Sequence, residues 1–242
     1  MEVTTRHTPS FGVARIALAG AEQVKVEAGA MYAMSGGMLL ESKMDGGFLK
    51  AAKRAVAGGE SFFVSTYTAP AQGGFVDVAA RLPGDLLTID IAPDKAMFVS
   101  RGSWLASAVP ITLDTKWGGF KNLVGGEGGF ILRASGSGSL VMACYGAIET
   151  WDLQPGQSIT VDTGHMVAYE ESVQTTLRKV AGGMVQSFKS GEGLVFDFVG
   201  PGKVMTQTRN PSELVGWIQG MIGSTGGGAG AGGVLGGLMG RN

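Results

Sequence analysis

Apolar and polar residues alternate along Phe11-Gly12-Val13-Ala14-Arg15-Ile16-Ala17-Leu18 and again along Phe75-Val76-Asp77-Val78-Ala79-Ala80-Arg81-Leu82. A period of two is what a strand with one face on a core requires, because successive side chains leave opposite faces. Tyr145-Gly146-Ala147-Ile148-Glu149-Thr150-Trp151 opens on an aromatic in the same way, with a looser alternation. Three β-rich apolar runs follow further on, at Phe62-Phe63-Val64-Ser65-Thr66-Tyr67, Phe130-Ile131-Leu132-Arg133 and Leu194-Val195-Phe196-Asp197-Phe198. Each ends in a turn signal, at Pro70-Ala71-Gln72-Gly73-Gly74, Ser135-Gly136-Ser137-Gly138 and Gly200-Pro201-Gly202, which predicts a hairpin in every copy.

The spacing of these elements makes the chain a threefold repeat. A Gly-Glu pair precedes each apolar run, at Gly59-Glu60, Gly126-Glu127 and Gly191-Glu192, with intervals of 67 and 65 residues. Val26, Ile91 and Val161 serve as a second landmark at intervals of 65 and 70, each followed by a tight turn (Ala28-Gly29, Pro93-Asp94, Thr163-Gly164). Agreement at two landmarks predicts one supersecondary unit written three times. The expected divisions are residues 1–74, 75–144 and 145–209, followed by a distinct segment at 210–242.

Two stretches carry a helical rather than a strand period. Phe48-Leu49-Lys50-Ala51-Ala52-Lys53-Arg54-Ala55-Val56, near 48–57, places Lys50, Lys53 and Arg54 opposite its apolar residues, as an insertion in the first copy. Asn210-Pro211-Ser212-Glu213 has a capping residue, a proline suited to the first turn and an early acid. Behind it, Leu214, Val215, Trp217, Ile218, Met221 and Ile222 form an apolar stripe, and the chain then becomes almost continuous glycine to Asn242. A tail so rich in glycine cannot offset its own ordering entropy unless a partner covers it.

Composition sharpens this picture. Glycine occupies 42 of 242 positions without a period of three, which fits many tight turns and no collagen-like helix. Charged residues make up 16%, which suggests a surface partly covered by a partner. The net charge of -1 argues against a broad nucleic-acid face. A single cysteine, Cys144, excludes an internal disulfide and fits a reducing compartment. The N-terminal stretch lacks an apolar signal core, and no run is long enough to span a bilayer, so a cytoplasmic protein is expected, with peripheral membrane association as an option.

Candidate chemistry is sparse. Glu60, Glu127 and Glu192 are read as structural carboxylates that bond turn amides, since a repeat preserves structural chemistry first. His7 and His165 are too far apart to suggest a metal pair, and Cys144 sits in an apolar stretch as a core thiol. Gly118-Gly119-Phe120 through Glu127 lacks the Gly-Lys-Ser/Thr ending of a phosphate loop. No catalytic residue, metal ligand or cofactor site is assigned. The contact candidates are Lys50, Lys53 and Arg54 on the basic insertion, and Trp217, Ile218 and Met221 on the terminal helix, facing a protein or a membrane surface.

A set of phrases carries a resemblance: Gly46-Gly47-Phe48 through Gly59-Glu60-Ser61-Phe62-Phe63, Val161-Asp162-Thr163-Gly164-His165-Met166-Val167-Ala168, and Gly191-Glu192-Gly193-Leu194 through Gly200-Pro201-Gly202 with Gln207-Thr208-Arg209. Together they resemble the altered inheritance of mitochondria protein 24 family over roughly residues 8–240. The resemblance implies a fold like that of the tryptophan RNA-binding attenuation protein, with three tandem double-stranded β-helix-like units per chain and three chains closing a nine-unit ring. That protein's tryptophan and RNA sites have no matching repeated cations here. The expectation is therefore an all-β, pseudo-threefold chain with a short C-terminal helix, a homotrimer acting as a non-enzymatic scaffold or assembly module. The alternative is a small-ligand-binding protein with clefts between β units or subunits.

Overall fold

The structure, a computed structural model, is described over residues 1–44, 63–116, 131–180 and 194–225. The chain divides into two bodies, Met1–Arg209 and Asn210–Asn242. Among its described residues the first is built of β-strands with two short 3-10 turns. After β1 (Glu2–Arg6), the described strands fall into three sets of six. The first set is β2 (Val13–Leu18), β3 (Gln23–Glu27), β4 (Met31–Met34), β5 (Leu39–Met44), β6 (Phe63–Thr68) and β7 (Gly74–Ala79). The second is β8 (Leu86–Ile91), β9 (Met97–Ser100), β10 (Trp104–Ala108), β11 (Thr112–Lys116), β12 (Ile131–Ser135) and β13 (Gly138–Ala143). The third is β14 (Ile148–Leu153), β15 (Ser158–Asp162), β16 (Met166–Glu170), β17 (Gln174–Lys179), β18 (Leu194–Val199) and β19 (Gly202–Gln207).

Pairing is antiparallel and the same in every set. The first strand pairs with the sixth and the sixth with the third. The fourth pairs with the fifth and the fifth with the second. Even the irregularities recur. The third strand breaks register against the sixth between Met31 and Ala33, between Trp104 and Ala106, and between Met166 and Ala168. In each case a bulge leaves one residue, Tyr32, Leu105 or Val167, without a ladder partner.

The sets are joined by hydrogen bonds. β3 pairs with β10, and β9 pairs with β16, so the second strand of one set continues into the third strand of the next. Four sheets result, in the orders β1-β2-β7-β4, β5-β6-β3-β10-β13-β8, β11-β12-β9-β16-β19-β14 and β15-β18-β17. Three apolar cores lie between successive sheets. The first joins Ile16, Val76 and Val78 to Val24, Tyr67, Leu105 and Val141. The second joins Trp104, Leu140 and Met142 to Val99, Leu132, Val167 and Met205. The third joins Leu153, Tyr169 and Val204 to Phe196 and Phe198.

Three details of the sequence reading change. The turns at Pro70–Gly74, Ser135–Gly138 and Gly200–Gly202 are not hairpins. β6 and β7 belong to different sheets, as do β12 and β13, and β18 and β19, so each turn is a corner between layers. Glycine is favoured at Gly138 and Gly202 by their positive φ, 121° and 137°, and by close approach, since a Cβ would lie 2.6 Å from Ala108 Cβ or 2.5 Å from Ser172 Oγ; at Gly74 it would lie 2.5 Å from Ser35 Oγ, which a side-chain shift can relieve. Second, the strand that begins at Phe75 closes the first set by pairing with β2 and β4, so the first division falls between Ala79 and Leu86 rather than at residue 74. Third, register places Val99, not Ile91, opposite the fifth strand as Val26 and Val161 are placed, and Gly102 stands where Gly29 and Gly164 do. Alternation could not reveal this, because period two is the same for a first strand and a sixth.

In the second body, α1 (Pro211–Thr225) begins where the capping signal predicts it: Asn210 Oδ1 accepts from the Ser212 amide at 2.9 Å. The helical insertion near 48–57 and the glycine-rich end lie outside the described residues.

The seams give a test of the packing. Val141 is fully buried between the first and second sets. Val141→Asp, which places an unpaired carboxylate there, is expected to cost about 3 kcal/mol or more. Met205→Leu, at the equivalent position of the next seam, should cost less than about 1.5 kcal/mol. Urea unfolding of both variants measures the difference, and equal costs would contradict the burial of Val141 in an apolar core.

Candidate functional site

A strand edge that lacks a neighbour leaves backbone donors and acceptors unpaired. The rule that joins the sets shows which open edges have paired counterparts elsewhere in the chain. β3 and β9 each find the third strand of the following set, whereas among the described residues β15 pairs with β18 alone. β10 and β16 each find the second strand of the preceding set, whereas among the described residues β4 pairs with β7 alone. β15 and β4 therefore hold the strand positions whose counterparts, β3 with β10 and β9 with β16, pair within the chain. Joined, they would build a sheet with the order β17-β18-β15-β4-β7-β2, matching the two six-stranded sheets, with β1 as a seventh strand beside β2.

Side chains carry the same message. At the bulge position, Leu105 and Val167 are buried in the closed seams, while Tyr32 on β4 is 55% exposed. One strand position separates Met34, 40% exposed, from Ala33; the equivalents of Met34, Ser107 and Tyr169, are buried. On the other half, Val24, Val26, Met97 and Val99 are buried, whereas Ile159 and Val161 of β15 are only partly covered.

The face beside β4 carries the most concentrated polar chemistry of the described residues. Asp77, on β7, is 1% exposed and stands opposite Arg15 of β2. Arg15 donates from Nε and Nη2 to the two carboxylate oxygens, both at 2.9 Å, as a bidentate pair. Arg6 Nη2, brought in by β1, donates to Asp77 Oδ2 at 2.7 Å and to the Tyr32 hydroxyl at 2.6 Å. Arg15 also lies over the Phe75 ring, 3.9 Å from its centroid. Hydrogen bonding from Arg15 holds the Asp77 pKa down at about 2, against the opposing effect of burial and with help from Arg6. The equivalent positions in the closed seams are Val141 and Met205, both apolar and buried. Sequence reasoning did not single out this group; the available signal was an acid in the middle of the apolar strand Phe75-Val76-Asp77-Val78, with Arg15 in the strand that the same pattern predicts.

On the half that ends in β15, the uncovered face of the third set holds Glu149 and Trp151 of β14, opposite Thr206 and Val204. Trp151 is 43% exposed and donates from Nε1 to Thr206 Oγ1 at 3.1 Å. Asp197 accepts from Thr160 Oγ1 at 2.7 Å and from Arg178, which holds its pKa down.

Of the residues singled out by sequence, Lys50, Lys53, Arg54, Glu60, Glu127 and Glu192 lie outside the described residues. Trp217, Ile218 and Met221 share α1 and are all exposed, with Trp217 at 64%. His165 sits in the turn before β16, where its Nδ1 donates to the Gln207 carbonyl at 2.7 Å. Cys144 is buried, and desolvation pushes its thiol up to about 11, so it is protonated at neutral pH. Among the described residues no group of three or more metal-ligating side chains converges, and no helix is long and apolar enough to cross a membrane.

Comparison with known proteins points the same way as the fold. The family model described as mitochondrial biogenesis AIM24 matches residues 3–209. An uncharacterised protein of Streptococcus pyogenes serotype M6 is 25% identical over 228 residues, covering 90% of both chains. A crystal structure of a Streptococcus pyogenes protein superposes with a TM-score of 0.76 at 23% identity, covering 91% of this chain and 99% of that one. This last likeness shows a shared fold.

The charge group at the edge yields a pH signature. The carboxylate of Asp77 titrates lower folded than unfolded, so its contribution is complete above about pH 4 and is lost as pH falls towards 2. Asp77→Asn is expected to cost about 2 kcal/mol at neutral pH, with the gap closing as pH approaches 2. Urea unfolding of both chains across that range measures it, and a gap independent of pH would contradict the assignment.

Proposed function

The chain belongs to the mitochondrial biogenesis AIM24 family, and we propose that it is a non-enzymatic assembly module whose copies join head to tail, β15 of one to β4 of the next, into a closed β ring. The observation that carries this reading is the pair of open edges, which repeat the two halves of the seams at β3–β10 and β9–β16. A heterologous contact of this kind closes into a ring when its rotation returns to the start. Three chains, giving nine sets of strands, are the closure that the likeness to the attenuation protein implies. The exposed apolar side chains of α1, Trp217, Ile218 and Met221, supply the surface for a protein partner or a membrane in the cytoplasm.

The seams within the chain set the register for the seam between chains. Ser107 lies opposite Lys25 and Tyr169 opposite Phe98, which places Met34 opposite Thr160 of the next copy. Such a pair has Cα atoms about 4.5 to 5.5 Å apart, within disulfide reach. A chain carrying Met34→Cys and Thr160→Cys is expected to form chain-to-chain disulfides on oxidation, and the Met34→Cys, Ile159→Cys chain is not. Light scattering of the unmodified protein should give about three times the 24.9 kDa chain mass. A mass of one chain at micromolar concentration, with no cross-link, would overturn the reading.

A further inference from the structure

We infer that the seam between copies is specified by charge, with the Arg6–Arg15–Asp77 group of one copy seated on Glu149 and Trp151 of the next. The inference rests on the head-to-tail reading above and adds to it which side chains choose the partner.

The argument follows equivalent positions through three seams. In the first, Ala14 and Ile16 of β2 are fully buried in a core that also holds Leu105, Ala106 and Val141 of the following set. In the second, Leu87 and Ile89 take the places of Ala14 and Ile16, and pack in the core that holds Val167, Ala168 and Met205 of the following set. In the third, these places belong to Glu149 and Trp151, and among the described residues no following set covers them. The surface that would cover them is the β4 face of another copy, with Tyr32, Ala33 and Asp77 at the positions of Leu105, Ala106 and Val141, and Arg15 at that of Thr88.

Both halves of this seam therefore depart from the apolar pattern, and they depart with opposite sign. Two guanidinium groups around one carboxylate leave the Arg6–Arg15–Asp77 group with one excess positive charge. On the other half, an alanine or leucine position has become Glu149, and an isoleucine position has become Trp151, whose face suits a cation. A surface adapted only to solvent would not place Tyr32, Met34 and Trp151 around the charges. The arrangement also separates the seam from its two internal counterparts. Apolar seams within a chain cannot recruit the charged edge of another copy without burying an unpaired charge. The polarity thus directs β15 to β4 and away from the chain's own seams.

Sedimentation velocity of the full chain, across dilution, at about 0.1 M and about 1 M sodium chloride tests this, since screening shortens from about 10 Å to about 3 Å over that range. The wild type is expected to assemble, with a dissociation constant several-fold higher at high salt. Glu149→Arg, at an exposed position that leaves the fold intact, is expected to weaken assembly about tenfold or more at low salt, with high salt now strengthening it. Glu149→Gln, nearly the same in shape, should lose much of the salt dependence. A wild type that assembles, with both variants matching it in affinity and salt response, would overturn the charge inference and leave the ring standing. A wild type that stays a single chain at all concentrations would overturn both.

Discussion

The constraint on which the rest of this structure depends is the pairing of the second strand of one set with the third strand of the next. Each set of six strands makes four pairings internally; its first and fourth strands end the sheets, apart from β2, which pairs with β1, and its second and third strands are the ones that take a further neighbour from an adjoining set. Backbone amides and carbonyls along a strand edge are too costly to leave buried and unpaired, so a set cannot be a finished domain alone. Joining the second strand of one set to the third of the next occurs twice within the chain, and among the described residues leaves β4 and β15 as the third and second strands without such a partner. The architecture of Met1–Arg209 is in this sense repetitive, each set joined to its neighbour by the same pairing.

Packing follows from the same geometry. Because each sheet within the chain is shared between two sets, every core is built from both, and Leu105 or Val167 is buried by a neighbour it does not belong to. The end sheets have only half of this arrangement. Their faces keep the strand spacing but change chemistry, to the buried Asp77 with its two arginines on one side and to Glu149 and Trp151 on the other. The extra strand β1 belongs to this adaptation, since it has no counterpart in the other sets and brings Arg6 to Asp77.

Much of the fold was legible before the structure. Period-two alternation at Val13–Leu18, the apolar runs ending near Tyr67 and Phe198, and the capping signal at Asn210 each correspond to an observed element. Partnership was not legible. Phe75–Ala79 has the alternation of an opening strand and proves to be a closing one, and Ile91 was matched with Val26 because both end an apolar stretch before a turn. The turn glycines were read as hairpin residues, although Gly74, Gly138 and Gly202 serve close approach at a corner between sheets. The site was read least well, for Asp77, Arg15 and Arg6 are far apart in sequence and separately ordinary.

Local preference by itself determined that this chain makes short strands, tight turns and one terminal helix, and that it does so with a repeat near 65 to 70 residues. Those outcomes depend on side-chain alternation and backbone freedom, which are properties of neighbours along the chain. Only the tertiary structure decided which strands share hydrogen bonds, where one set ends and the next begins, and that a buried carboxylate with two arginines sits beside an open edge. These depend on pairing between residues tens of positions apart, and period two alone cannot specify partner or register.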